Sequence, residues 1–164
     1  MKSPSLCVKL NTDGNCYGNP GPVGLGGLFR NDQGGWIMGY AFKVLEADSI
    51  EAKMCSIRFG LQTPWDARIL DMWVKSDYEV AVKLILQGDP HFHPLGLLIM
   101  DCRSLMARPW KCRLTHILRE GNSCADFLAN LGHNNSGSAL LAHPPMGLGP
   151  LLLKDLEGLP VIRL

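Results

Sequence analysis

Apolar positions fall into two periods along this chain, and the change of period divides it. Leu6 to Asn11 reads as a strand leading into Asp13. Gly14 to Pro22 is rich in Gly, Asn and Pro, the chemistry of turns. Val23 to Arg30 resumes the sheet, Asn31 to Gly35 is a hairpin turn, and Trp36 to Val44 runs back as a third strand. The period then becomes helical. Ile50, Met54, Ile57 and Leu61 form one face of a helix capped by Asp48 or Ser49, ending near Thr63 before Pro64. Ile69 to Lys75 is a fourth strand with Asp77 at its carboxyl end. Tyr78 to Gln87 is a helix, Gly88 to Pro94 a loop, Leu95 to Ala107 a helix, and Lys111 to Ile117 a fifth strand. Asn122 caps a last helix to about Leu131. From Asn134 onward Gly, Pro and Leu dominate without a periodic face, which predicts a poorly packed tail. The order βββαβααβα predicts an α/β fold: a mixed five-stranded sheet with helices on both faces over residues 1–134, and a Gly/Pro/Leu-rich tail over 135–164.

Composition narrows the class. The 164 residues, 46% hydrophobic and 19% charged, suit one globular domain. A net charge of +1 excludes a global basic field. Arg103, Arg108, Lys111, Arg113 and Arg119 nevertheless share one stretch without an acid. Such a run is ordinarily a solvated face, or else a surface tracking a phosphate backbone. The six cysteines show no CxxC pair and no zinc-like spacing with histidine. They read as reduced thiols of an intracellular protein, nuclear or cytoplasmic. No secretory leader is recognisable and no apolar run reaches eighteen residues, so no membrane association is expected.

Three aspartates carry the candidate chemistry: Asp13 in Asn-Thr-Asp-Gly, Asp77 in Lys-Ser-Asp, and Asp126 in Asn122-Ser-Cys-Ala-Asp. Converged from separate elements, carboxylates hold hard divalent cations through oxygen. Each also has an ordinary explanation. Asp13 suits a turn, Asp77 a helix cap, and Asp126 the favourable first turn of a helix. The predicted order places all three at strand ends or a helix start, where sites of open α/β sheets gather.

With these motifs in place the chain resembles the ribonuclease H domain, and more closely the ribonuclease H-like domain of plant non-LTR retroelements and stand-alone plant proteins. The similar segments are Val8 to Gly14, Gly18 to Pro22, Gly26 to Arg30, Ser76-Asp77 and His116 to Asn130, with Pro144-Pro145, Leu151 to Asp155 and Arg163 in the tail. The resemblance implies a ribonuclease H-like fold and hydrolysis of the RNA strand of an RNA–DNA hybrid by two magnesium ions. It implies Asp13, Asp77 and Asp126 as catalytic metal ligands, and His116 as a mobile histidine assisting proton transfer or product release. It also implies Gly14, Asn15, Asn19 and Asn122 as substrate contacts, on a monomer whose partner is RNA–DNA hybrid or another nucleic acid. The 2′-hydroxyl is the group that tells RNA from DNA.

One position departs. The resemblance places a metal-binding glutamate seventeen residues after Trp36 and twenty-four before Asp77, and both counts land on Lys53. Glu51 lies two residues away, ~200° around the helix. An ammonium has no lone pair for a metal and repels one. The expectation is weak or partial magnesium binding and doubtful cleavage. The alternatives are an inactive nucleic-acid-binding module or a retroelement relic.

Overall fold

A computed structural model describes residues 7–18, 20–66, 69–134 and 140–156. Three antiparallel strands open the fold: β1 (Val8–Cys16), β2 (Gly21–Arg30) and β3 (Trp36–Ala47). The Asn31 carboxamide forms the second hairpin turn by accepting from the N–H groups of Gln33 and Gly35. Then follow α1 (Ser49–Asp66), β4 (Asp71–Ser76), α2 (Glu79–Gln87), α3 (Gly96–Met106), β5 (Lys111–His116) and α4 (Ser123–Asn134). β4 joins β1, and β5 joins β4, both parallel. The predicted element order holds through α4, and the sheet is mixed as expected.

Three features correct the sequence reading. First, among the described residues the sheet has six strands, ordered β5-β4-β1-β2-β3-β6, because Leu140–Leu141 of the tail form β6 on the outer edge of β3. Second, the tail is not irregular: Gly149–Leu156 is a helix, α5. Leu148 is fully buried, and Leu141, Leu151 and Leu152 pack around it with Leu28, Ala125 and Leu128. Arg30 Nη1 pairs with Asp155 Oδ2 at 2.8 Å. An apolar face can be built by a turn and a short helix together, which no single period reveals. Third, α1 runs on through Pro64 to Asp66. Its start is as expected, the Asp48 carboxylate accepting from Glu51 N–H at 2.8 Å.

Alternation along the strands divides the two faces. Leu10, Phe29, Tyr40, Met72 and Val74 pack with Met54, Ile57, Leu61, Ile85 and Ile99, so α1, α2 and α3 cover one face. The predicted Ile50/Met54/Ile57/Leu61 stripe is that face of α1. The other face carries α4 across β1, β2 and β3. There the approach is close. A Cβ at Gly26 would strike the backbone of Leu128 and Ala129, and one at Gly14 would strike Ala52 and Lys53 from the α1 side. All six cysteines are unpaired thiols, Cys102 and Cys124 buried and the rest half-buried.

Candidate nucleic-acid site

The parallel register of β1, β4 and β5 puts Thr12 beside Ser76 and Ser76 beside His116. Asp13 and Asp77 follow one residue later, at the same end of the sheet. Asp126 enters from the first turn of α4. Asn15 joins it to β1, its Nδ2 donating to Asp126 Oδ1 at 3.2 Å and to Asn130 Oδ1 at 2.8 Å. His116 sits at the rim, its Nε2 3.2 Å from the Asp77 carbonyl oxygen. The elements thus bring the three acids and the histidine to one end of the sheet.

Lys53 enters among them from α1. Its Nζ donates to Asp13 Oδ1 at 2.8 Å and to the Gly14 carbonyl at 2.9 Å, and lies 5.4 Å from the Tyr78 ring. The side chain is 14% exposed, that of Asp13 3%. An ammonium therefore fills the space between α1 and β1 that a cation beside Asp13 would enter. Among the described residues, no three His, Cys, Asp or Glu side chains are placed to hold a metal ion. The donor set does not fit a magnesium pair, because the acid it would need first is already bonded to an internal cation.

Burial pushes the Asp13 carboxyl up to about 6. The Lys53 charge and hydrogen bond oppose the rise, nearby Asp77 adds to it, and the Gly14 N–H at 2.9 Å opposes it. The folded protein thus holds this proton more tightly than the unfolded chain, whose value is near 3.8. As pH rises from about 4 to 6 the unfolded state releases its proton first, so Asp13's contribution to stability falls. At 1.36 kcal/mol per unit the expected loss is on the order of 2–3 kcal/mol. Urea unfolding of the wild type and Asp13→Asn at pH 4 and pH 7 in EDTA measures it. The wild type should lose stability relative to the variant across that interval. A difference that does not change with pH would contradict the burial argument.

Other expected residues divide. Gly14 is where α1 and β1 touch, and Asn15 lies at the rim beside Asp126. Asn19 lies outside the described residues. Asn122 does not face outward: it is 1% exposed, its Oδ1 accepts from Asn11 Nδ2 at 3.1 Å, and its Nδ2 donates to the Thr12 carbonyl at 2.9 Å. Both ends of its carboxamide are used to lock the start of α4 against β1. That corrects its reading as a substrate contact to one of positioning. The basic stretch is not one surface either. Arg103 turns inward to donate to the carbonyls of Ile85 and Gly88, closing the end of α2.

Some residues escaped the sequence reading. Asn11, 1% exposed, also accepts from Arg30 Nη2 at 2.8 Å, continuing the chain from Asn122 through Arg30 to Asp155. Its signal was an asparagine in mid-strand, directly after Leu10 and two before Asp13. Tyr78 follows Asp77 directly and flanks the Lys53 ammonium. Asn130 stands one helical turn after Asp126, a spacing that places both on one face.

Comparison with known proteins agrees with this architecture. Residues 11–132 match the model of the family described as reverse transcriptase-like. An Arabidopsis thaliana relative, named "Putative ribonuclease H protein At1g65750", is 32% identical over 152 residues. The alignment covers 92% of this chain and 24% of that relative, so the chain spans about a quarter of the relative's length. Among solved structures, the N-terminal RNase H domain of a Mycobacterium tuberculosis protein superposes with a TM-score of 0.73 at 23% identity, covering 79% of this chain and 95% of that one. RNase H1 of Halobacterium salinarum gives 0.71 at 23% identity, covering 79% and 97%. LC11-RNase H1, solved in complex with RNA/DNA hybrid, gives 0.71 at 23% identity, covering 77% and 96%. By family match, relative and fold together, the chain belongs to the reverse transcriptase-like family as a ribonuclease H-like domain.

Proposed function

We propose that this domain binds RNA–DNA hybrid and does not cleave it, with the Lys53 ammonium standing where the family's chemistry places a divalent cation. The observation that carries this reading is the 2.8 Å bond from Lys53 Nζ to Asp13 Oδ1. Two-metal hydrolysis needs an open carboxylate set that activates water and stabilises the leaving oxygen. Here one carboxylate is neutralised from within, by a group without a lone pair. Two observations support hybrid binding: Asn15, Asn130 and His116 stand around the acids, and the LC11 neighbour of the same fold was solved in complex with RNA/DNA hybrid. A retroelement origin would explain a domain kept as a binding module after its chemistry lapsed.

The test pairs a gel shift with a cleavage assay on one labelled RNA–DNA hybrid. We expect a salt-sensitive shift, weakening roughly tenfold or more between 50 and 200 mM salt as counterions are released. We expect no cleavage in magnesium. Calorimetric titration with magnesium should show no two-site isotherm at sub-millimolar affinity. Two ions bound that tightly, or cleavage by the unmodified protein, would sink the reading. No shift at low salt would favour a relic with neither activity.

A further inference from the structure

Among the described residues, the face of the sheet that carries α4 is only partly covered. α4 crosses β1, β2 and β3, and α5 reaches Arg30 at the end of β2 through Asp155. Toward β4 and β5 that same face presents Lys9, Trp73, Lys75 and Arg113. Register groups them: Lys9 pairs with Trp73, and Trp73 with Arg113, in one row across three strands. Their alternates Met72 and Val74 are fully buried under the opposite helices, which fixes Trp73 and Lys75 outward.

Three cations surround one indole. Lys75 Nζ lies 4.3 Å from the Trp73 ring, the Arg113 guanidinium 4.5 Å and Lys9 Nζ 5.9 Å. None of the three belongs to an ion pair among the described residues. They crowd one another, all three within 6 Å of one ring. Cation–π attraction offsets part of that repulsion. A ligand carrying negative charge would relieve the rest. The ring itself is tied toward β5, its Nε1 donating to Thr115 Oγ1 at 2.7 Å. It therefore leans away from β1, and Lys9 on that side is the most distant of its three cations.

We propose that this Trp73-centred sheet face is a second nucleic-acid surface, which takes single-stranded nucleic acid with a base stacked on the indole and phosphates held by Lys9, Lys75 and Arg113. Aromatic platforms flanked by cations bind single strands in this way, because every base has a π-face and every nucleotide a phosphate. The charge excludes a cationic ligand, and the aromatic centre favours a nucleic acid over a purely acidic polymer. Its centre, Trp73 with Lys9, lies four residues back along β4 and β1 from Asp77 and Asp13, about 13 Å at the rise of a strand, with Lys75 between Trp73 and Asp77. The stacking platform is thus distinct from the hybrid site proposed above and does not rest on it. A strand leaving a duplex at the sheet end would be within reach.

The experiment uses the whole chain at 50 mM salt, with labelled twelve-residue oligothymidine and, in parallel, labelled RNA–DNA hybrid. Circular dichroism and melting check each variant for folding. Trp73→Ala should weaken oligothymidine binding about tenfold, the lower range for one stacked base. Trp73→Phe should retain most of it. The paired change Lys9→Glu with Arg113→Glu should remove it, leaving hybrid binding within about twofold. Loss of hybrid binding with oligothymidine binding intact would count against the hybrid site and leave this surface standing. Undetectable oligothymidine binding by the wild type would overturn the proposal. So would binding unaffected by Trp73→Ala, or heparin competing as well against Trp73→Ala as against the wild type, since either means that no base stacks there.

Discussion

Lys53→Glu should make this protein a magnesium-dependent nuclease on RNA–DNA hybrid, where the wild type is expected to cleave none. The substitution removes the ammonium bonded to Asp13 and supplies an oxygen donor from the same helix position, beside Asp13 and within the field of Asp77. Changes merely behind a metal's ligands shift affinity by roughly 10–100-fold. Gaining a ligand while losing a cation should move activity by about 100-fold or more over background. Without metal the variant crowds carboxylates into a buried site, so it should melt below the wild type and recover with millimolar magnesium. That thermal recovery is a readout independent of turnover. Lys53→Met is the control: it removes the cation without adding a ligand and should gain no cleavage. Adding Asp77→Asn to Lys53→Glu should abolish whatever was gained. The acid must come at position 53, because neighbouring Ala52 is fully buried and its backbone abuts Gly14. Cleavage by Lys53→Met equal to that of Lys53→Glu would show that another carboxylate completes the site.

Ending the chain after Asn134 should lower the melting temperature by at least about 10 °C. The cut removes Leu148, which is fully buried, together with Leu141, Leu151 and Leu152 around it. Burying one such leucine contributes about 1.5–3 kcal/mol. The cut also leaves Arg30, whose side chain is 11% exposed, without the Asp155 carboxylate. A buried charge that loses its partner costs about 3–5 kcal/mol. At roughly 2–4 °C per kcal/mol for a chain of this size, the sum exceeds 10 °C. Asp155→Ala separates the contributions, because it removes the ion pair and leaves the leucines. Its melt should fall between those of the full chain and the truncation. A truncation that melts with the full chain would mean that α5 adds nothing to the core.

Much of the fold was legible in the chain because it rests on short-range periodicity. Turn chemistry at Gly14 to Pro22 and Asn31 to Gly35 marked off β1, β2 and β3, and the Ile50/Met54/Ile57/Leu61 stripe fixed the rotation of α1. That rotation is what placed Lys53, rather than Glu51, toward Asp13. The Ser76-Asp77 and Asn122-to-Asp126 motifs marked two of the site's entrances for the same reason: each is local.

The sequence by itself therefore determined the order of elements through α4, their faces and the presence of a cation among the acids. Only the tertiary structure decided what each polar group does with its hydrogen bonds. Asn122 looked available and is bonded at both ends to β1, while Arg103 looked like a surface charge and closes a helix. The tail looked unstructured because its leucines find their partners on α4 and β2, elements far away in sequence. Trp73, Lys9 and Arg113 belong to three different strands, and no spacing along the chain joins them. Strand register puts them in one row, and among the described residues α4 packs on β1, β2 and β3, to one side of Trp73 and Arg113.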